Sequence, residues 1–277
     1  MSIDLTGEFQ AILEGKVTLP GRVEDWQTSY RSAKPFSHVV IDDLFDQQIL
    51  DALLTEMSGM GSDRWSTLDQ DSRERTLRMR SAMALGHAGE HFLRIVHSAA
   101  FLYLLSEITG IAQLLPDPYL LGSGYAQMRR GDYFGVHSDR NVAYDTGLLR
   151  RLAMIVFLNK SWSKDYHGEL ELWSHDGKHC DVTIEPLYNR TAIFEVANPN
   201  FHGVPTPLAC PPDRLRQSFI VYFHTAIVKE HDPIKAHTSI FAPRLYGANR
   251  MTVKSLVRDL TPPLVLRAAR KLMKSGE

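Results

Sequence analysis

Hydrophobic positions near the amino terminus follow a helical spacing. Between residues 46 and 57, the side chains of Ile49, Leu53 and Met57 fall on one face of a helix, and Asp46 stands where an N-terminal capping residue is expected. This stretch therefore predicts an amphipathic helix that packs one side against a core.

A second helical pattern precedes the central part of the chain. It predicts a single helix over residues 90–108 that ends at Gly110, a residue suited to the left-handed conformation of helix ends. Residues 77–85 alternate between apolar and polar side chains, as a strand does. From residue 125 onward, at least seven segments of strand length follow one another through short turns. This order predicts a mainly β fold with flanking helices, of the α+β class, on a double-stranded β-helix (jelly roll) core.

Two histidines and an aspartate indicate a metal site. Side chains two residues apart on a strand point to the same side, so His137 and Asp139 of His137-Ser138-Asp139 face inward together. His202 lies in a segment of turn-forming residues, where Gly203 lets the backbone come close to a metal. Two imidazoles and a carboxylate hold iron(II) on one face and leave the other positions open. The sequence therefore predicts catalytic metal ligands at His137, Asp139 and His202.

Another group of histidines competes for this role. His167, His175 and His179 lie close together, but Asp176-Gly177 between the last two predicts a hairpin turn. Their spacing matches no zinc-binding pattern that we identify. We interpret these histidines as solvated residues near a strand connection.

The segments around the predicted ligands follow a characteristic order. They are an opening strand at residues 36–45 and core segments at residues 125–136, 151–159, 167–173, 184–186, 189–194 and 216–223. Together with the ligands, this order resembles the 2-oxoglutarate/iron(II)-dependent dioxygenases, specifically their prolyl 4-hydroxylase-like branch. The resemblance covers roughly residues 35–225.

The resemblance implies cofactors and a reaction. Iron(II), written Fe(2+), would be held by His137, Asp139 and His202, with 2-oxoglutarate and O2 as cosubstrates and L-ascorbate as an accessory reductant. The enzyme would hydroxylate a small molecule, a glycan precursor or a protein side chain and release succinate and CO2. Halogenating relatives lack the carboxylate, so Asp139 favours hydroxylation or a related oxidation. The alternative is a catalytically inactive metal-binding interaction module that recruits a partner through its C-terminal helix.

The resemblance also implies residues that bind 2-oxoglutarate. Arg216 matches the basic residue that pairs with the distal carboxylate, and a guanidinium offers a planar fork of donors for that purpose. Ser218 lies two residues further on the same strand face and adds a hydroxyl donor. Arg214 is the rival for the arginine role. Many prolyl hydroxylases have tyrosines on neighbouring strands where this chain has Gln127 and Phe157, and we expect Tyr125 to substitute, with Gln127 beside it.

Composition limits the function classes. The chain has 277 residues, is 44% hydrophobic and 23% charged, and carries a net charge of −1, which provides no electrostatic surface for nucleic acid. Cys180 and Cys210 are too few for a disulfide scaffold. The first residues do not form a signal peptide, and no apolar segment reaches the roughly 20 residues that cross a bilayer. These features predict a cytoplasmic enzyme.

Arginines concentrate around the predicted ligand strand. They are Arg129, Arg130, Arg140, Arg150 and Arg151. We expect some of them near the mouth of the pocket, where they either bind an anionic substrate or form surface ion pairs.

The flanking regions complete the predicted organisation. We expect an N-terminal extension over residues 1–34, the dioxygenase domain over residues 35–228 and a C-terminal extension over residues 229–277. Residues 262–274 predict a short basic amphipathic helix, which either makes a peripheral contact with the inner face of the membrane or docks onto its own domain.

Overall fold

The computed structural model describes residues 16–17, 22–70, 74–79, 85–143, 146–197, 199–227 and 236–242. Its helices are α1 (Val23–Ser32), α2 (Gln47–Gly59), α3 (His87–Val96) and α4 (Ala99–Thr109). Its strands are β1 (His38–Asp42), β2 (Trp65–Gln70), β3 (Glu74–Met79), β4 (Leu115–Pro116), β5 (Gly124–Met128), β6 (Tyr133–Ser138), β7 (Val142–Ala143), β8 (Leu148–Phe157), β9 (Leu170–Trp173), β10 (Cys180–Ile184), β11 (Arg190–Glu195), β12 (His202–Val204), β13 (Arg216–Thr225) and β14 (Ile240–Phe241).

Helix α2 confirms the first helical prediction. The side chain of Asp46 accepts a hydrogen bond from the backbone N–H of Gln48, which satisfies one of the free donors at the helix start. Leu50, Leu53 and Met57 are buried against the core, as an amphipathic helix requires.

The prediction of a single helix over residues 90–108 is wrong. The structure has two helices there, α3 and α4, because the Ser98 side chain accepts a hydrogen bond from the backbone N–H of Phe101 and starts a new helix. Gly110 ends α4 in the left-handed conformation, with φ of 72°, as predicted. Among the described helices none alone is long and apolar enough to cross a membrane, and only the pair α3 and α4, bent by 54°, reaches that length and composition together.

Two antiparallel sheets form the centre of the fold. One has the strand order β11-β8-β13-β5 and the other the order β6-β12-β9-β10, while β3 pairs with both β5 and β6 and so links them. β1 extends the first sheet beside β11, and β14 lies beside β6 at the edge of the second. This arrangement confirms the predicted jelly-roll core with flanking helices.

The first sheet is buried on both faces. Met154, Val156 and Val221 point outward and pack in one core with the helices, whereas Ala153 and Ile155 point inward to the opposite sheet. The alternation follows from the two-residue repeat of a strand. The inner face leads into the cavity described below.

Both flanking regions contact the domain predicted for residues 35–228. Before residue 35, Tyr30 of α1 is buried, and the Gln27 side chain donates a hydrogen bond to the Glu107 carbonyl at 2.7 Å. After residue 228, β14 pairs with the ligand-bearing strand β6. The domain limits at residues 34 and 228 remain predictions, and the predicted helix over residues 262–274 lies outside the described residues.

Candidate metal centre and adjoining cavity

The three predicted metal ligands meet at one point. His137 lies near the end of β6, Asp139 follows that strand, and His202 begins β12 directly opposite His137 in the antiparallel register. One ligand atom from each residue lies within 4.8 Å of the other two, and no further group of this kind is found among the described residues. All three residues are buried, with exposures of 2%, 7% and 6%.

The separations between ligand atoms suit a cation. The Nε2 of His137 lies 3.4 Å from one carboxylate oxygen of Asp139, and the Nε2 of His202 lies 3.6 Å from the other. Neighbouring ligands bonded to a metal at roughly 2.0–2.2 Å lie about 3 Å apart, which is close to these values. The Oδ2 of Asp139 is enclosed and has no hydrogen-bond partner among the described residues, so a metal ion would satisfy it.

The opposite ring nitrogens orient both imidazoles. The Nδ1 of His137 lies 2.9 Å from the Gly135 carbonyl oxygen, and the Nδ1 of His202 lies 3.2 Å from the Asn200 carbonyl oxygen. A carbonyl only accepts, so in the neutral ring the hydrogen sits on Nδ1. The lone pair of each Nε2 is therefore directed to the space between the ligands, where a metal can accept it.

The protonation states agree with a metal site. Burial, assisted by the neighbouring His137, lowers the pKa of His202 to about 4, so this ring is neutral near pH 7. Burial alone would raise the pKa of Asp139, but contacts with His137 and His202 and the charge of Arg150 lower it below its ordinary value. A charged carboxylate beside a neutral imidazole is the form that binds a cation.

Aromatic side chains enclose the imidazoles. The Phe134 ring stacks on His137 at a centroid distance of 4.0 Å, the Phe241 ring of β14 lies 5.6 Å from it, and the Phe194 ring lies 4.7 Å from His202. The sequence did not predict these supports. Phe134 and Phe194 stand in predicted strand segments, but Phe241 lies in the region interpreted as an extension and carried no signal.

Position 203 must lack a side chain because the neighbouring strand β6 lies against it, and not because of the metal itself. A Cβ at this position would lie 2.9 Å from the Phe134 carbonyl oxygen and 3.0 Å from both the Gly135 oxygen and the Val136 Cα. The backbone of β12 therefore approaches β6 closely, and this approach sets the distance between His202 and His137.

We expect Gly203→Ala to lower metal affinity about tenfold or more, because the added methyl pushes His202 away from its partners. It should also destabilise the metal-free protein by roughly 1–3 kcal/mol through overpacking. Metal titration and thermal unfolding measure the two effects. The control is Gly59→Ala, whose Cβ would have no atom within 4 Å. Equal metal affinities in the two variants would contradict this role of Gly203.

A cavity adjoins the metal ligands between the two sheets. It is partly open to solvent, and its lining is mainly apolar. Arg216 and Ser218 line it from β13, because residues two apart share the inner face of that strand. Arg216 is only 6% exposed and its guanidinium remains charged there. The structure thus brings Arg216 and Ser218 to the same cavity as His137, Asp139 and His202.

The Arg216 side chain is held by a glycine that sequence analysis did not single out as a site residue. Its Nε donates a hydrogen bond of 2.6 Å to the Gly168 carbonyl, and its guanidinium carbon lies 5.1 Å from the centre of the Phe157 ring. Gly168 has φ of 90°, and a Cβ there would lie 3.0 Å from Arg216 Cδ. The sequence signal was His167-Gly168 at a strand entrance, but only the tertiary contact shows which side chain needs that space.

We expect Gly168→Ala to weaken 2-oxoglutarate binding about tenfold while leaving binding of the metal alone unchanged, because the methyl displaces Arg216 and spares the metal ligands. Isothermal titration with each ligand separates the two. Gly131→Ala is the matched control, since Gly131 also has a positive φ of 81° but open space around its Cβ. Equal losses of 2-oxoglutarate affinity in the two variants would show that backbone strain alone causes the effect and would contradict the role of Gly168 in holding Arg216.

Two predicted cosubstrate residues are placed differently from the prediction. Tyr125 points to the helix side of β5, where its hydroxyl donates a hydrogen bond of 2.9 Å to Glu56 of α2, so it does not line the cavity. Gln127 borders the cavity, but it pairs with Gln217 in the antiparallel register, and alternation turns its side chain to the same outer side as Tyr125. The prediction that Tyr125 contacts 2-oxoglutarate is therefore corrected.

The rival residues lie outside the cavity. Arg214 is exposed, and its guanidinium donates to the Lys160 carbonyl at 3.3 Å, in a separate surface groove. His175 contacts the Pro199 carbonyl, and His179 pairs with Asp181 at 3.3 Å. Neither histidine belongs to a metal-ligand group among the described residues, which agrees with their interpretation as hairpin residues.

Comparisons with known proteins identify the domain. The family described as the 2OG-Fe(II) oxygenase superfamily matches residues 123–224, which include all three metal ligands and Arg216. No curated protein matches the sequence.

Solved structures share the fold at low sequence identity. A Pseudomonas putida prolyl-4-hydroxylase is 16% identical with a TM-score of 0.50 over 72% of this chain and 98% of its own. A Trichoplax adhaerens prolyl hydroxylase, in complex with a hypoxia inducible factor peptide fragment, is 16% identical with a TM-score of 0.50 over 81% of this chain and 94% of its own. A non-heme alpha ketoglutarate dependent carbocyclase from nogalamycin biosynthesis is 10% identical with a TM-score of 0.50 over 81% and 99%.

The matched family, the fold and the converging ligands lead to one assignment. The donor set and the buried arginine fit iron(II) and 2-oxoglutarate, which the family uses. Residues 123–224 are a 2OG-Fe(II) oxygenase domain, the fold is similar to that of prolyl 4-hydroxylases, and the protein is a dioxygenase.

Proposed function

We propose that the protein is a hydroxylase that acts on a C–H bond of a small molecule, a glycan precursor or a protein side chain and releases succinate and CO2. One observation carries the proposal: a buried His-Asp-His group and a buried arginine open into the same cavity. The two requirements of this chemistry, a metal with open positions and a cosubstrate anchor, are met by residues from distant parts of the chain.

His137, Asp139 and His202 would hold the iron. The Nε2 atoms of the two histidines and the Asp139 carboxylate would bind the ion, and the hydrogen bonds to the Gly135 and Asn200 carbonyls fix the imidazoles. When bound, iron and 2-oxoglutarate supply the oxidative decarboxylation that is coupled to transfer of an oxygen atom to the substrate. The protein fixes the positions at which these groups bind.

Arg216 and Ser218 would anchor the distal carboxylate of 2-oxoglutarate. The guanidinium is held through its Nε by the Gly168 carbonyl, so its orientation is set before the cosubstrate binds. The Ser218 hydroxyl lies on the same inner face of β13 and is 2% exposed. The absence of bulk water around this pair strengthens a charge-assisted hydrogen bond.

The cavity lining limits water near the reacting atoms. Apolar side chains from both sheets, among them Ile155, Phe194 and Val204, surround the metal ligands. A dry lining protects reactive species from solvent and strengthens electrostatic interactions in the site.

The fold is compatible with more than one substrate class. The similar structures include a prolyl hydroxylase bound to a peptide and a carbocyclase from a biosynthetic route to a small molecule. Function depends on the site and its rim rather than on the fold. We therefore keep small molecules, glycan precursors and protein side chains as proposed substrates.

Release of succinate tests the proposed function. The purified protein with iron(II), 2-oxoglutarate and O2 should form succinate, and mixtures of candidate peptides, sugars and small acids should increase the rate when they contain the substrate. His202→Ala, the matched control, should abolish both the basal and the stimulated rate. Succinate formation that persists in this variant would contradict the proposal.

A further inference from the structure

Arg150 is a buried cation near the metal ligands without an acidic partner of its own. It is 5% exposed, and one guanidinium nitrogen donates a hydrogen bond of 2.8 Å to the Leu121 carbonyl. Its Nε is enclosed by protein and has no hydrogen-bond partner among the described residues. No described carboxylate lies within ion-pair distance of it, although Arg150 is one of the charges that lower the pKa of Asp139.

A β-bulge turns Arg150 toward the inside of the barrel. Along the pairing of β8 with β13, Phe223 lies opposite Leu152, but the next residue, His224, lies opposite Arg150. Arg151 is therefore an extra residue in β8, and it breaks the two-residue alternation. Leu152 points outward to the helices, whereas the Arg150 guanidinium beyond the bulge lies over the ring of Tyr222, a residue of the inner face, although Arg150 itself does not line the cavity. Bulges of this kind commonly redirect side chains beside active sites.

The guanidinium lies against a residue that lines the cavity. Its central carbon is 3.6 Å from the centre of the Tyr222 ring, and Tyr222 faces the same cavity as Asp139 and His202. Stacking on an aromatic ring fixes the plane of a guanidinium and leaves its edge for other acceptors. Arg150 is near the opposite end of β13 from Arg216, so the two arginines can bind different molecules.

Arg150 is buried and forms no ion pair among the described residues. A buried cation is expensive to keep without a close anion. Arg216 is assigned to 2-oxoglutarate, and Asp139 is assigned to the metal. A substrate with a negative group would supply the missing partner.

We infer that Arg150, supported by Tyr222, binds an anionic group of the substrate, a carboxylate or a phosphate ester. This inference rests on the proposed dioxygenase function and narrows its substrates. Among peptides, sugars and small molecules, it selects those with a negative group close to the C–H bond that reacts.

Matched pairs of probes test the inference on the protein loaded anaerobically with iron(II) and 2-oxoglutarate. The pairs are acetate with acetamide, N-acetylproline with its amide, and glucose 6-phosphate with glucose. Inorganic phosphate is a further anionic probe, and chloride at equal ionic strength is the control for a general salt effect. Thermal unfolding at increasing probe concentration reports binding. We expect a saturable increase in Tm with an anionic probe and at least tenfold weaker binding of its neutral partner, as the loss of a charge-assisted hydrogen bond predicts. The pair that responds distinguishes a carboxylate from a phosphate.

Variants separate binding by Arg150 from other roles. Arg150→Gln should weaken the anionic probe about tenfold or more, and Arg150→Lys should give an intermediate loss because it keeps the charge but not the planar fork. Arg151→Gln is the control, since Arg151 is partly exposed and lies 4.0 Å from Glu195, and it should bind the probe as the native protein does. Both Arg150 variants should bind iron(II) and 2-oxoglutarate normally.

Several results would overturn the inference. They are equal binding of charged and neutral probes, no binding of any anion, or binding of the anionic probe by Arg150→Gln with unchanged affinity. A loss of iron(II) binding in both Arg150 variants would also overturn it, because it would show that Arg150 supports Asp139 rather than the substrate. Failure of the native protein to bind iron(II) and 2-oxoglutarate is a different result, because it contradicts the proposed function before any probe is added.

Discussion

Arg216→Ala should weaken binding of 2-oxoglutarate about a hundredfold, because truncating one member of a buried charge pair removes roughly 2–5 kcal/mol. The guanidinium lies inside the cavity of the metal ligands and has its Nε hydrogen bonded to the Gly168 carbonyl. Isothermal titration of the metal-loaded protein under anaerobic conditions measures this affinity. Binding of the metal alone should not change.

Arg214→Ala is the matched control for this prediction. Arg214 is two residues away and equally charged, but it is exposed and contacts the Lys160 carbonyl in a separate groove. We expect the affinity of Arg214→Ala for 2-oxoglutarate to stay within about twofold of the native value, because most surface substitutions have small effects. The opposite ranking of the two variants would show that Arg214 is the cosubstrate residue.

Asp139→Ala should lower metal affinity at least about a hundredfold and lower the stability of the metal-free protein near neutral pH. The first effect follows from removing one of three ligands and the only charged one. The second follows because, despite burial, contacts with His137 and His202 lower the pKa of Asp139 in the folded state, so its ionisation stabilises the fold at neutral pH, and this contribution is lost as the pH falls through the folded-state pKa. Equilibrium dialysis with cobalt(II) and denaturant unfolding of the metal-free protein measure the two effects.

Asp139→Asn separates charge from shape. The amide has the same size but lacks the negative charge, so it should lose most of the metal affinity without loss of folding. Metal affinity of Asp139→Asn close to that of the native protein would contradict this expectation, because it would show that the negative charge is not needed to hold the ion.

The candidate metal ligands His137 and Asp139 could be located from the sequence because their signal is local. His137 and Asp139 are two residues apart, and the strand period alone places both on one side. His202 needed the resemblance to a family, since nothing local shows that β12 pairs with β6 and brings this residue opposite His137.

The cosubstrate residues were only partly predictable because the first sheet is covered on both faces. All residues of β5 are buried, so hydrophobicity does not indicate which side of the strand faces the cavity. Arg216 lies on the inner face and lines the cavity, whereas Tyr125 lies on the outer face and bonds to Glu56. The register with β13 decides this question, and the register is a property of the folded sheet.

Irregular features were the least predictable. The break between α3 and α4 depends on a single capping bond from Ser98, which the apolar pattern on either side conceals. The bulge at Arg151 reverses the direction of the Arg150 side chain. Simple alternation along the strand therefore could not predict which side of β8 this arginine occupies. Phe241 reaches His137 from β14, which followed a predicted domain boundary.

Anaerobic addition of iron(II) and 2-oxoglutarate tests the proposed site most directly, because it reports metal and cosubstrate together before any substrate is known. A keto acid chelated to iron(II) gives a weak visible charge-transfer band. We predict this band for the native protein and for Arg214→Ala, and its loss in His137→Ala. Absence of the band in the native protein, or an unchanged band in His137→Ala, would contradict the assignment of His137, Asp139 and His202 as the iron ligands.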